Sequence, residues 1–135
     1  MEEVLYGNPS GSELEVAIVR AIYDAFSRRD IEAALEHIAD DCEVMPVTAG
    51  RAGRDAAYTG HEGVRQFFAD ADLVWENLGV HADDMRAASG GVVVFGYLDG
   101  VPHGSTTHER IDVIWFWRLR DGKAVSMRVN QLGST

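Results

Sequence analysis

The stretch from His108 to Gln131 constrains the fold most, because two strands and the turn between them can be read in it together. Residues 120–122, Arg-Asp-Gly, separate two alternating apolar runs, which predicts a three-residue hairpin loop with a bulge. In that register Leu119 faces Lys123. One face of the hairpin is then apolar and forms the wall of a core or a pocket. It carries Ile111, Val113, Trp115, Trp117, Leu119, Val125, Met127 and Val129.

The opposite face of this hairpin is apolar in the middle and polar around it. Ile114 and Phe116 form the apolar part. The polar rim consists of Arg110, Asp112, Arg118, Ser126, Arg128 and Asn130. An exposed apolar patch with such a rim is typical of a partner surface. We therefore expect a homodimer that forms through this outer face.

The composition limits the classes of partner. The 22 acidic and 12 basic side chains give a formal charge of -10, which repels phosphate backbones and anionic membranes. We therefore expect no nucleic-acid partner and no membrane partner. The acidic start lacks a secretory signal, and the single cysteine, Cys42, excludes an internal disulfide, so the sequence predicts a cytoplasmic protein.

The chain of 135 residues fits one domain, which we place at residues 12–135 after a loose arm at residues 1–11. Helical spacing and capping residues predict three helices, at 12–28, from 31 to before 40, and from a capping box at 59–62. The predicted strands and turns are a strand at 42–47, a loop at 48–57, an extended segment at 75–87 with a bulge or bend at 79, a strand at 92–98 and a turn at 99–102. This order predicts an α+β fold in which a curved antiparallel or mixed sheet wraps around helices to form a cone with an internal pocket.

Three segments of the chain carry a resemblance to a known family. They read RRDIEAALEHIADDCEVMPV at 28–47, YTGHEGVRQFFAD at 58–70 and WFWRLRDGKAVSMRV at 115–129. Together they resemble the SnoaL-like domains of the nuclear-transport-factor-two-like superfamily, over nearly the whole chain. That superfamily includes ketosteroid isomerases, epoxide hydrolases, polyketide cyclases and transport adaptors, so the resemblance implies the fold and leaves the activity open.

The same resemblance locates the positions at which enzymes of the superfamily transfer protons. The base of the ketosteroid isomerases falls on Pro46, their tyrosine on Ile22, and their protonated aspartate on Trp115. The late aspartate of the epoxide hydrolases and cyclases falls on Val129. None of these four side chains can take over the role of the acid or base that it replaces, so the resemblance implies no established catalysis.

Asp99 is the candidate catalytic residue that the sequence itself offers. It lies two residues after Tyr97, so both side chains point the same way, and we expect that direction to be the inner face of the sheet. A buried carboxylate there could act as an acid or a base. Alternatively, Asp99 only opens a turn with Gly100, which ordinary turn preferences favour.

The predicted pocket is apolar and rich in aromatic side chains. Its candidate ligand-binding residues are Tyr23, Tyr58, His61, Phe67, Trp75, Phe95, Tyr97, Val113, Trp115, Trp117, Met127 and Val129. The aromatic ones could equally be ordinary core.

A metal site is suggested only weakly, by His103, His108 and Glu109. No second cluster of ligands accompanies these three residues, so we expect no metal and no cofactor. The sequence favours the binding of a small, largely hydrophobic molecule. The alternatives are an isomerase, a polyketide-cyclase-like or epoxide-hydrolase-like enzyme, and a protein–protein adaptor.

Overall fold

The computed structural model describes residues 11–45 and 57–132 and has the predicted α+β architecture. In chain order the elements are α1 (Gly11–Ser27), α2 (Ile31–Leu35), β1 (Ile38–Met45), β2 (Tyr58–Thr59), α3 (Gly60–Val74), β3 (Trp75–Ala88), β4 (Gly91–Pro102), β5 (Glu109–Arg120) and β6 (Lys123–Gln131). The six strands form one curved sheet in the order β2-β1-β6-β5-β4-β3. β6 pairs with β1 in parallel, and the other neighbouring strands are antiparallel.

The helices pack on the inner face of this sheet. α1 contacts β3 and β4, while α3 contacts β1 and β3. The apolar stripe of α1 is fully buried at Val19, Ile22 and Ala25. It meets the inner face of the β5–β6 hairpin, where Trp115 and Trp117 are also buried, as the alternation of that hairpin predicts.

The end of α1 is closed by a residue in the left-handed conformation. The backbone N–H of Arg29 donates to the carbonyl of Phe26 at 3.0 Å, and that of Asp30 donates to Ala25 at 2.9 Å. This pair of bonds is the Schellman motif, and Arg29 occupies its left-handed position with a φ of 59°. Asp30 then caps α2, as predicted, because its carboxylate accepts from the backbone N–H of Ala33 at 3.1 Å.

The predicted register of the hairpin is wrong. The turn has two residues, Asp121 and Gly122, both with positive φ, as a type I′ turn requires. Leu119 therefore pairs with Ala124 and not with Lys123. A bulge follows in β6, so that Ala124 takes the buried position predicted for Val125, while Trp117 pairs with Met127 on the inner face.

Three predicted boundaries are also wrong. α2 ends at Leu35 and does not continue to just before Asp40. β4 continues through the turn predicted at 99–102, because Asp99 pairs with Gly79 on one side and with Arg110 on the other. β1 begins at Ile38, four residues before the predicted strand. The bulge or bend predicted at Gly79 is confirmed by a register shift between Glu76 and Gly79.

The predicted capping box of α3 is wrong, and two other predicted segments lie almost wholly outside the described residues. Thr59 is the N-cap residue of α3, but its side chain makes no capping bond, so the predicted capping box does not form. The predicted arm lies outside the described residues except for Gly11, as do Pro46 and the predicted loop except for Ala57. No helix in the described ranges is long and apolar enough to cross a membrane.

Candidate functional site

An apolar cavity of about 30 Å³, the inner cavity, lies between α1, α3 and the inner face of the sheet. It is lined by Tyr23, Phe26, Ile38, Val44, Val64, Phe67, Leu78, Val80, Leu98, Trp115, Trp117 and Met127. Five of these were candidate ligand-binding residues: Tyr23, Phe67, Trp115, Trp117 and Met127. In its present shape the cavity holds a water-sized group, because one water needs roughly 10–15 Å³ measured in this way.

Two polar groups from the lining of the inner cavity, the hydroxyl of Tyr23 and the indole N–H of Trp117, bond to each other. The Nε1–H of Trp117 donates to the hydroxyl oxygen of Tyr23 at 2.9 Å. The Tyr23 ring also meets the rings of Trp115 and Trp117 edge to face. Burial raises the pKa of Tyr23 well above its usual value, against a smaller lowering effect of the Trp117 bond, so this hydroxyl keeps its proton. Among the described residues no acceptor takes that proton, which leaves it available to a ligand.

A wider pocket of about 290 Å³, the mouth pocket, lies next to the inner cavity. It is lined by Phe26, Ser27, Arg29, Phe67, Phe68, Ala71, Leu78, Gly79, Val80 and His81. Phe26, Phe67, Leu78 and Val80 line both spaces and so form the wall between them.

Several candidate ligand-binding residues lie in the core and away from the inner cavity. Val113 and Trp75 are buried, and Val129 packs partly buried against the core. The Nε2–H of His61 donates to the carbonyl of Ile38 at 2.7 Å, which ties the start of α3 to β1.

Tyr58 is fully buried and bonds to a carboxylate that the sequence analysis did not single out. Its hydroxyl donates to Asp70 Oδ2 at 2.6 Å, and Gln66 donates to Asp70 Oδ1 at 2.7 Å. The spacing of Gln66 and Asp70, four apart on one helix, is a signal that could have pointed to this pair. Because both oxygens of Asp70 have donors, the geometry assigns the carboxylate a structural role.

Phe95, Tyr97 and Asp99 lie on the outer face of the sheet, so their predicted inward orientation is wrong. The inner face of β4 is taken by Val92, Val94 and Leu98, all buried. Since side chains alternate along a strand, the odd-numbered residues from Val93 to Asp99 must point outward. Asp99 is thus neither a turn residue nor an acid in the cavity.

Asp99 instead belongs to a polar cluster at the edge of the outer face. Its Oδ1 lies 2.9 Å from His81 Nε2, and its Oδ2 lies 3.6 Å from His108 Nε2. The His81 ring stacks on Tyr97, with 4.3 Å between centroids. Gly79 leaves room for this contact, because a Cβ there would overlap the Asp99 carboxylate. In the part of the chain that the structure covers, no three His, Cys, Asp or Glu side chains are arranged to hold a metal.

Comparison with known families shows to which family this chain belongs. The model of the SnoaL-like domain matches residues 19–127. This chain belongs to the SnoaL-like domain family. A search of curated proteins finds no match for it.

Solved structures similar to this SnoaL-like domain share its fold. TerC, co-crystallized with polyporic acid, is 28% identical, with 87% of this chain and 91% of TerC covered and a TM-score of 0.78. An NTF2-like protein of unknown function from Burkholderia pseudomallei is 22% identical, with 87% and 90% covered and a TM-score of 0.78. A putative SnoaL-like polyketide cyclase from a Jannaschia species is 18% identical, with 93% and 90% covered and a TM-score of 0.75.

The structure covers three of the four positions on which the resemblance puts the proton-transferring residues of the superfamily enzymes. In this SnoaL-like domain Ile22 is fully buried in α1, Trp115 lines the inner cavity, and Val129 is half-buried on β6. Pro46 lies outside the described residues. Tyr23 is the one titratable side chain among the described residues that line the inner cavity. Because burial raises the pKa of Tyr23, its hydroxyl keeps its proton.

Proposed function

We propose that this SnoaL-like domain binds a small, largely hydrophobic molecule that presents a carbonyl oxygen to Tyr23 in the inner cavity. The observation that carries the proposal is the Tyr23–Trp117 pair within an otherwise apolar lining. TerC, the relative that was co-crystallized with polyporic acid, supports a small-molecule ligand.

The chemistry of the pair favours an acceptor group on an apolar body. Trp117 donates a hydrogen bond to the Tyr23 oxygen. This donation polarises the Tyr23 hydroxyl and so strengthens the hydrogen bond that the hydroxyl donates to a ligand. A hydrogen bond in this apolar setting is stronger than the same bond in water, while the apolar lining recovers free energy from burying the rest of the ligand. An apolar pocket with one oriented polar group is typical of small-molecule sites.

Entry of such a ligand requires the wall between the two spaces to open. The rings of Phe26 and Phe67 lie with centroids 6.3 Å apart in that wall, and both side chains are only partly buried. Rotation of these two rings joins the inner cavity to the mouth pocket, which is almost ten times larger. The combined space favours ligand binding over the adaptor alternative, for which we expect a filled cone.

A second candidate function is a cyclase-like or isomerase-like reaction in which Tyr23 stabilises an oxyanion. The position of its hydroxyl favours this role, because a neutral donor in a dry site can stabilise charge that develops on a carbonyl oxygen. The described lining offers no base to remove a proton, and for that reason binding is the function that we propose first.

The test of the proposed function is the binding of the naphthyl ketone dye Prodan. We expect a blue shift of its emission and energy transfer from Trp115 and Trp117, which line the cavity. Tyr23→Phe should weaken binding about three- to tenfold, the worth of one hydrogen bond. It should also lower the free energy of unfolding by about 1–3 kcal/mol in urea, because the Trp117 N–H loses its buried acceptor.

The matched control is Tyr97→Phe, which removes a hydroxyl from the outer face and should leave both quantities unchanged. Absence of Prodan binding to the wild-type chain, or equal affinity in folded Tyr23→Phe, would contradict the proposal. Native mass spectrometry of protein taken from cells then identifies the natural ligand by its mass.

A further inference from the structure

The mouth pocket has a cation at its rim. Aromatic and aliphatic side chains make up most of its lining, and the other lining residues are Ser27, Arg29, Gly79 and His81. Arg29 carries the one permanent positive charge among the described lining residues. The chain has a formal charge of -10, so most of its surface repels anions, and the positive charge of Arg29 sets the rim of this pocket apart.

The backbone at Arg29 gives an independent reason to look at its side chain. Arg29 occupies the left-handed position of the Schellman motif, with a φ of 59°. Glycine is the usual residue there, because a Cβ adds strain in this conformation. A strained residue at the rim of a pocket is the kind of outlier from which a functional role is inferred.

The guanidinium of Arg29 is held loosely where it lies. Its Nη1 is 3.6 Å from Asp72 Oδ1, and both side chains are substantially exposed. Its Cζ lies 5.9 Å from the centroid of the Phe68 ring, at the wall of the mouth pocket. Exposed ion pairs of this kind contribute little, so a ligand anion can replace Asp72 as the partner of Arg29.

We propose that Arg29 binds the anionic head group of the ligand, whose apolar body passes the wall into the inner cavity. The inference rests on the proposed function and narrows its ligand to hydrophobic carboxylic acids. A guanidinium presents two parallel N–H groups, which match the two oxygens of a carboxylate. An apolar body of matching width would lie against Phe26 and Phe67.

The test uses two fluorescent probes with the same aromatic body. 8-Anilinonaphthalene-1-sulfonate carries an anion, and N-phenyl-1-naphthylamine lacks it. We expect Arg29→Gln to weaken binding of the sulfonate about tenfold, the worth of one charge-assisted hydrogen bond, and to leave binding of the amine unchanged. Arg28→Gln is the matched control, because it removes the same charge one residue away, from a side chain that pairs with Asp24 and Asp30.

A second variant separates a ligand-binding role from a structural one. Arg29→Gly relieves the backbone strain, so we expect a higher unfolding midpoint in urea together with the same loss of sulfonate binding. Two outcomes would overturn the role of Arg29: equal effects of Arg28→Gln and Arg29→Gln, or sulfonate binding that is unchanged in Arg29→Gly. In either case, binding of the amine would still support a ligand site in the inner cavity. If neither probe binds the wild-type chain, the proposed function fails and this inference fails with it.

Discussion

Cys42 lies in the middle of β1, fully buried, between Asp41 and Glu43, which face the solvent. Burial, together with the smaller effect of the negative charges on the two neighbours, raises the pKa of the Cys42 thiol to about 12. Tyr23 shows the same effect of burial. Both groups keep their protons at neutral pH, so these two buried side chains are uncharged and the thiol is unreactive.

We predict that Cys42 resists alkylation by iodoacetamide at pH 8. With a pKa of about 12, roughly one folded thiol in ten thousand is ionised at that pH. Labelling followed by mass spectrometry should be at least about a hundredfold slower in the native chain than in concentrated urea.

The same shift predicts the direction of the alkaline response. The pKa of the folded thiol lies above the ordinary thiol value of 9.0, so the unfolded chain loses its thiol proton first and stability falls as the pH rises from about 9 towards 12. Cys42→Ala should reduce this loss. Rapid native labelling at pH 8 would contradict the assigned burial.

The residues of the inner cavity could be predicted only in part, for a physical reason. Charged residues at Asp112, Arg118 and Arg128 mark the outer face of the hairpin strands, so Trp115, Trp117 and Met127 could be assigned to the inner face from the sequence. In β4 both faces are apolar, with Val92 and Val94 on one side and Val93 and Phe95 on the other. When both faces of a strand are apolar, the alternation of its residues does not show which face is buried. The pairing of β4 with β5 decides which side chains of β4 point inward.

At the scale of elements, the hairpin of β5 and β6 depends on a short turn and a compensating bulge. Arg-Asp-Gly is compatible with a three-residue loop and also with a two-residue turn, and propensity alone does not separate them. The bulge after Ala124 restores the inward direction of Met127, which is why the predicted face is confirmed although the register is wrong. Element order and type were therefore predictable, whereas the exact pairing was not.

We predict that Gly122→Ala destabilises the domain by about 1 kcal/mol, because Gly122 has a φ of 80° and a Cβ is strained there. Urea unfolding followed by tryptophan fluorescence measures the change. Asp121→Asn is the control, since asparagine tolerates the left-handed conformation of position 121, and it should be neutral or slightly stabilising. A loss of equal size in both variants would contradict the assigned turn.

At the scale of the whole molecule, the outer face of the sheet has the character that the sequence predicts. Phe116 is 38% exposed, and Ile114 next to it is half-buried. Cations cover the neighbouring rings: Arg110 lies 3.8 Å from the centroid of Tyr97 and Arg86 lies 5.6 Å from that of Phe95. Association of two copies through this face stays a prediction.

We predict that Phe116→Glu yields monomers in sedimentation velocity, because it places a carboxylate in the middle of the apolar patch. Leu73→Glu is the matched control. Leu73 is a large apolar side chain on α3 and is 73% exposed, so its change should leave the mass as in the wild type. A dimer that persists in Phe116→Glu would refute this interface.

The position of β6 has a consequence for how the chain acquires its shape in the cell. β6 lies between β1 and β5, so β1 cannot reach its long-range partner until the ribosome has released nearly all the described residues. Until then, β2 is the one strand that pairs with β1, and the edge of β1 that β6 later covers stays unpaired. We expect this stage of translation to be the one at which chaperones bind the chain.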